Sequence, residues 1–113
     1  MKVIIAGGRK MRLGVKGWTI LDALHKEIGF TEVVSGACRG IDKDAESWAK
    51  ARGIPIKQFI PRWKELGKRA GPTRNAEMAA YAAGLVLFPG EYGTANMKRR
   101  ATEAGLKIWE HTL

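Results

Sequence analysis

The chain has 113 residues, of which 45% are hydrophobic, and it carries a formal net charge of +9. This length predicts one domain over residues 1–113, and no apolar run approaches the length of a membrane span. The single cysteine, Cys38, excludes an internal disulfide, and no set of Cys and His residues has metal-ligand spacing. We therefore expect a soluble cytoplasmic protein with no metal, no cofactor and no membrane partner. The positive charge favours an anionic small ligand or a polyanion.

Short apolar runs alternate with amphipathic stretches along the chain. The runs predict strands at 2–6, 32–35, 56–60, 85–88 and 107–109. Between them, helical spacing of apolar residues predicts helices that include residues 18–28, 41–49, 73–83 and 93–104. The basic stretch 61–71 is predicted as a loop or short helix, with Trp63 as its one large apolar anchor. The alternation predicts an α/β fold: a single Rossmann-like three-layer sandwich whose mostly parallel sheet has about five strands.

Four loops are expected to leave the carboxyl ends of these strands, which is the edge where such sheets bind ligands. All four are rich in glycine, arginine or both. They are Gly7-Gly8-Arg9, Ser35 to Asp42, Pro61 to Arg74, and Pro89 to Thr94.

The loop from Ser35 to Asp42 joins a predicted strand to a predicted helix and has the composition of a phosphate-binding turn. Gly36 and Gly40 allow a sharp turn and close approach of a ligand, and Arg39 offers a planar fork to an anion. The helix start adds free N–H groups and a positive dipole end. Asp42 is either a carboxylate of the site or the N-cap of the helix.

The other loops add further candidate ligands. Gly90, Gly93 and Thr94 follow the most apolar strand and open a helix, although Thr94 also suits an N-cap. Arg74 and Asn75 stand at another predicted helix start. The turn at Gly7, Gly8 and Arg9 does not complete GxGxxG, and no P-loop motif occurs.

Three motifs carry a resemblance to the SLOG superfamily, which joins Smf/DprA DNA-processing proteins to Lonely-guy (LOG) phosphoribohydrolases. They are Ser35-Gly-Ala-Cys-Arg-Gly-Ile-Asp42, Gly71-Pro-Thr-Arg-Asn75 with Met78, and Pro89-Gly-Glu-Tyr-Gly-Thr94. The chain most resembles the small YspA-type SLOG proteins of bacteria and phages, and the likeness extends from Lys2 to Trp109. The resemblance implies a Rossmann-like fold that binds a nucleotide or nucleotide-derived ligand, with Pro89 to Thr94 on phosphate and Arg74 near the sugar or phosphate.

The resemblance to LOG enzymes is incomplete at the catalytic positions. Arg74 and Met78 match the RKxxM motif, but Asn75 replaces its lysine and Glu91 replaces the second glycine of PGGxGTxxE. Met97 stands where that motif has its catalytic glutamate, and its helical spacing with Ala101 favours core packing. Candidate catalytic residues are therefore Arg74 with Asp42 or Glu91, since an oxocarbenium-like transition state needs a nearby carboxylate.

Three functions remain open from the sequence. The first is binding of a nucleoside phosphate or an ADP-ribose-like compound by a sensor, carrier or sequestering protein. The second is single-stranded DNA binding, since DprA proteins resemble this chain at Ser35 to Asp42 and at Arg74-Asn75. The third is a LOG-like nucleotide N-glycosidase with a non-standard carboxylate. Homodimerisation is a further expectation from the superfamily.

Overall fold

The computed structural model describes all residues 1–113 and contains five strands and five α-helices. The strands are β1 (Lys2–Ala6), β2 (Glu32–Ser35), β3 (Ile56–Gln58), β4 (Gly84–Leu87) and β5 (Lys107–Glu110). The helices are α1 (Gly14–Ile28), α2 (Ile41–Ala51), α3 (Trp63–Leu66), α4 (Ala70–Tyr81) and α5 (Tyr92–Glu103), and a 3-10 turn at Gly67–Arg69 joins α3 to α4.

All strand pairs are parallel, and the sheet order is β3-β2-β1-β4-β5. The chain builds the sheet outward from β1 through β2 to β3 and then returns to place β4 on the other side of β1. The point where the direction reverses therefore lies between β1 and β4. Such a switch point leaves a crevice outside the carboxyl ends of the strands. The predicted α/β, Rossmann-like sheet is confirmed.

Two apolar layers hold the helices on the sheet. On one face α1 and α2 pack around Trp48 and Leu21, and on the other face α4 and α5 pack around Met78 and Met97. Successive residues of β1 alternate between the two layers, with Val3 and Ile5 in the first and Ile4 in the second. A strand covered on both faces needs an uninterrupted apolar run, which is the pattern of residues 3–6.

Several predicted element boundaries differ from the structure, most of them by one residue, and α4 ends at Tyr81, two residues before the predicted end at Ala83. Helix α4 begins at Ala70, whereas a start at Thr73 was expected after Pro72. Proline fits the first turn of a helix because the N–H that it lacks has no intrahelical partner there. Strand β3 ends at Gln58, two residues before the predicted end at Ile60. No helix of the structure combines the length and apolar character required to cross a membrane.

Candidate functional site: a cationic cleft at the switch point

The four loops converge on one cleft of about 740 Å³ at the carboxyl edge of the sheet. We call it the switch-point cleft. Most of the residues predicted from the sequence line it: Gly7, Gly8, Arg9, Gly36, Arg39, Asp42, Arg74, Asn75, Pro89, Gly90, Glu91, Gly93 and Thr94. Ser35 and Gly40 are absent from the lining.

Gly8 joins three of the loops through its backbone. Its N–H donates to the carbonyl of Pro89 at 2.8 Å, and its own carbonyl accepts the N–H of Ile41 at 3.3 Å. A β-carbon at position 8 would lie 3.2 Å from the Cα of Gly90, so the two glycine turns are in direct contact. The loops after β1, β2 and β4 therefore form one connected floor.

Ser35 and Gly40 support the cleft from behind. The Ser35 side chain is fully buried, and its hydroxyl donates to Glu46 Oε2 at 2.7 Å and accepts the N–H of Ala37 at 3.1 Å. Gly40 has φ 80°, and its Cα packs against the backbone of Gly8 and Arg9. From the segment Ser35 to Asp42, the cleft is reached by Gly36, Cys38, Arg39 and Asp42.

Arg74 extends from α4 into the floor and is only 8% exposed. Its Nη1 donates to the carbonyl of Gly36, and its Nε donates to Asn75 Oδ1 at 2.9 Å. Its Nη2 has no partner within the protein. A β-carbon at Gly36 would lie 2.6 Å from Arg74 Nη1, so a side chain there would displace the guanidinium from its place in the floor. The buried guanidinium therefore keeps one edge available to a ligand.

Asn75 connects two helices as well as lining the cleft. Its Nδ2 donates to the carbonyl of Gly93 at 3.2 Å and to Asn96 Oδ1 at 3.0 Å. Because Asn75 Oδ1 also accepts from Arg74, its amide group is used on both sides. Asn75 thus fixes the start of α5 relative to Arg74. Its neighbour Asn96 was not singled out from the sequence, where one asparagine within a helix gives no signal.

Asp42 is the second residue of α2 and is 7% exposed. Its Oδ2 accepts the N–H of Cys38 at 3.2 Å, whereas Oδ1 has no partner in the protein. Burial raises the pKa of Asp42 to about 6, although the Cys38 N–H and the charges of Arg74 and Arg9 act in the opposite direction. The N-cap alternative for Asp42 is wrong, because Gly40 precedes the helix and no side chain caps it.

The N-terminus of α5 faces the cleft with free backbone donors. Glu91 precedes the helix, and the N–H groups of Tyr92, Gly93 and Thr94 have no acceptor within the protein. The N-cap alternative for Thr94 is also wrong, since it is the third residue of the helix and makes no capping bond. Free N–H groups and the positive end of a helix dipole together bind anions such as phosphate.

Four cationic side chains surround this floor without a carboxylate partner. They are Arg9, Lys10, Arg39 and Lys68, and none of them belongs to an ion pair. By contrast, the nearby Arg12 pairs with Asp44, and Arg62 pairs with Glu65 and Glu77. Lys10 and Lys68 lie in basic runs of the sequence but were not singled out, because composition alone does not show which cation of a run turns inward.

Two aromatic side chains stand at the rim. Tyr92 is 93% exposed and Trp63 is 47% exposed, and both line the cleft. The guanidinium carbon of Arg9 lies 5.8 Å from the ring centroid of Trp63. Trp63 is thus exposed at the rim, and its ring offers a surface on which another planar group can stack.

Met97 packs among apolar residues of α4, β1 and β4 and is 2% exposed. Its side chain therefore belongs to the core layer, as its helical spacing predicts, and also borders the cleft from below. Of the two candidate catalytic carboxylates, Glu91 is exposed at the rim and Asp42 is buried in the floor.

A five-stranded parallel sheet with a cationic cleft at its switch point defines this protein as Rossmann-like. It belongs to the SLOG family described as "YspA, cpYpsA-related", since the model of that family matches residues 1–66. This match includes the loops after β1 and β2 and ends before Arg74. Membership indicates a nucleotide-related ligand in general terms.

Two individual proteins are similar to the chain over nearly its whole length. The Gene 61 protein of Mycobacterium phage D29 is 34% identical over 116 residues, which cover 95% of this chain and 93% of that protein. A crystal structure described as a predicted subunit of tRNA methyltransferase from Methanocaldococcus jannaschii overlaps 97% of this chain and 67% of its own. Its sequence identity is 14% and its TM-score is 0.47.

Proposed function

We propose that the switch-point cleft binds a nucleotide or nucleotide-derived ligand, such as a nucleoside phosphate or an ADP-ribose-like compound, and that the protein acts as a sensor, carrier or sequestering protein. One observation carries this proposal: three free N–H groups of α5 and four unpaired cations converge on the same cleft. A phosphate at the helix N-terminus satisfies the N–H groups and offsets the local positive charge.

The remaining features of the cleft match the other parts of a nucleotide. Trp63 and Tyr92 provide apolar surface at the rim, where a base can stack. Arg74 Nη2 and Asp42 Oδ1 provide a free donor and a free acceptor in the floor. A few polar groups converging in a concave site beside apolar surface are typical of small-molecule sites.

Calorimetric titration tests the proposal directly. The purified protein is titrated with AMP, GMP, CMP, UMP and ADP-ribose, at low and at near-physiological salt. We expect saturable binding of at least one of these compounds that survives the higher salt. Arg39→Ala should weaken that binding by about 1 kcal/mol, or roughly fivefold, because it removes one exposed charged contact.

Lys50→Ala is the matched control for Arg39→Ala. Lys50 is an exposed cation on α2 that lies outside the cleft and makes no ion pair. Lys50→Ala removes the same unit of positive charge as Arg39→Ala. Equal losses of ligand affinity in the two variants would therefore indicate general attraction of an anion to a basic protein. No binding of any compound by the native protein would contradict the proposal.

Single-stranded nucleic acid is a second candidate, favoured by the exposed rings of Trp63 and Tyr92 beside unpaired cations. In that case a short oligonucleotide binds more tightly than any mononucleotide, and its affinity falls steeply with salt because phosphate contacts release counterions. Titration with a short single-stranded oligonucleotide at the same two salt concentrations separates this candidate from the first.

Nucleotide N-glycosidase activity is a third candidate, favoured by the buried Asp42 near Arg74. Burial holds the pKa of Asp42 at about 6, which is suited to proton transfer near neutral pH. In the reaction, water adds to the anomeric carbon of the ribose, the C–N bond breaks, and the base leaves with a proton. Chromatography after long incubation with nucleoside monophosphates should show free base, and Asp42→Asn should abolish its release.

A further inference from the structure

Gly36 separates two groups of opposite charge that do not pair with each other. A β-carbon at this position would lie 2.6 Å from Arg74 Nη1 and 2.9 Å from Asp42 Oδ2. Nevertheless, Arg74 and Asp42 form no ion pair within 4 Å. Each is held instead by the backbone, Arg74 by the Gly36 carbonyl and Asp42 by the Cys38 N–H.

This arrangement leaves one free atom on each side chain in the floor of the cleft. Asp42 Oδ1 is a pure acceptor, and Arg74 Nη2 is a pure donor. Asp42 is 7% exposed, and its Oδ1 is open to the cleft with no donor from the protein. The natural complement of this oxygen is therefore a neutral group that brings hydroxyl or amine protons. A phosphate cannot fill this role, because it would bring a second negative charge to Asp42.

The position of Asp42 in the cleft indicates which part of a nucleotide would donate hydrogen bonds to it. The free N–H groups of α5 suit the phosphate, and the exposed rings of Trp63 and Tyr92 suit the base. Asp42 is neither at the N-terminus of α5 nor at the rim, but in the floor beside Arg74. Between phosphate and base a nucleotide carries its sugar, whose hydroxyls are neutral donors.

We propose that Asp42 Oδ1 accepts hydrogen bonds from the ribose hydroxyls of the ligand, so that the cleft selects ribonucleotides over 2′-deoxynucleotides. This proposal rests on the proposed function of the cleft and identifies its ligand class more closely. It makes Asp42 a specificity-determining residue, positioned by the Cys38 N–H and by the absence of a side chain at Gly36.

The test compares four matched pairs by calorimetry at pH 8: AMP with dAMP, GMP with dGMP, CMP with dCMP, and UMP with dUMP. At this pH Asp42 is charged, and a charged hydrogen bond should favour the ribonucleotide of the best-bound pair by about tenfold or more. In Asp42→Asn the preference should fall to about threefold or less. The deoxynucleotide should bind that variant as tightly as the native protein or more tightly, because a negative charge has been removed from an anion site.

Asp44→Asn is the matched control, since Asp44 lies in the same turn of α2 but binds Arg12 outside the cleft. It should retain the native preference for ribose. A purely structural role for Asp42 would weaken both members of each pair equally. Lowering the pH to 5 should also reduce the preference for ribose, because Asp42 has a pKa of about 6 and loses its charge by protonation. The charged groups that face it are Arg74, Arg9 and Glu46. The phosphate also takes up a proton near pH 6, but it does so in both members of a pair.

Each outcome decides a different statement. Equal binding of ribonucleotide and deoxynucleotide by the native protein overturns the role of Asp42 and leaves the proposed function standing. A second result would also overturn the ribose contact: the native protein shows no preference for ribose, and Asp42→Asn loses its selectivity among bases. In that case the carboxylate contacts the base. No binding of any of the eight compounds overturns the proposed function together with this inference.

Discussion

The Cα of Gly40 packs against the backbone carbonyl of Arg9, and a β-carbon at position 40 would lie 2.6 Å from that oxygen. Gly40 also has φ 80°, in the region that favours glycine. Gly40→Ala should therefore lower the free energy of unfolding by about 3 kcal/mol or more, since backbone strain and a clash with main-chain atoms add. Chemical denaturation monitored by tryptophan fluorescence measures the change.

Gly53→Ala provides the control for that prediction. Gly53 has φ 70°, but nothing lies within 4 Å of the position of its β-carbon. Its substitution should cost only the strain of the left-handed conformation, about 1 kcal/mol. Equal losses in the two variants would show that the contact between the first two loops contributes nothing to stability.

Asp42→Asn should stabilise the protein at neutral pH. Burial raises the folded-state pKa of Asp42 from 3.8 to about 6, so between these values the native state holds more protons than the unfolded state. Stability from this group therefore falls as pH rises from about 4 to about 6, and the penalty is constant above that range. Its size is at most about 3 kcal/mol, and the variant should unfold at a higher denaturant concentration at pH 8 but not at pH 4.

The same substitution at Asp44 should have the opposite sign. The hydrogen bond from Arg12 holds the pKa of Asp44 below its ordinary value, so the charged form stabilises the fold above about pH 4. Asp44→Asn should therefore destabilise the protein at pH 8. A gain of stability in both variants would mean that general charge reduction, rather than burial of Asp42, is the cause.

A glutamate in place of Met97 should harm the fold. Met97 is packed among apolar residues, and a carboxyl there has no hydrogen-bond partner in place. We expect Met97→Glu to lower the free energy of unfolding by about 3 kcal/mol or more, whereas Met97→Leu should cost less than about 1.5 kcal/mol. Thermal unfolding of the two variants tests this, and a fully stable Met97→Glu protein would show that the side chain reaches the cleft without cost.

Trp63→Ala should weaken binding of ligands that carry a base. Stacking of a base on an aromatic ring contributes about 1 to 3 kcal/mol, so the best-bound nucleotide should lose about fivefold or more in affinity. Ribose 5-phosphate has no base, and its binding should be unchanged. Ile60→Ala removes an exposed apolar side chain outside the cleft and should alter neither affinity.

The sequence predicted the sheet well because the residues of its central strands β1 and β4 are almost all apolar, as burial on both faces requires. The convergence of Gly8, Gly36 and Gly90 followed from their common position after parallel strands. The partners of Asn75 and Ser35 did not follow, because their hydrogen bonds reach residues 18 to 21 and 11 positions away.

The backbone bonds of Gly8 make the floor of the cleft less tolerant of substitution than its rim. Its contacts with Pro89 and Ile41 are made by main-chain atoms and tolerate no side chain in the crowded space around it. Trp63 and Tyr92, by contrast, stand at the rim with 47% and 93% of their surface exposed. On the proposed function, replacing these two rings should therefore change which base the cleft prefers and leave its glycine-built floor intact.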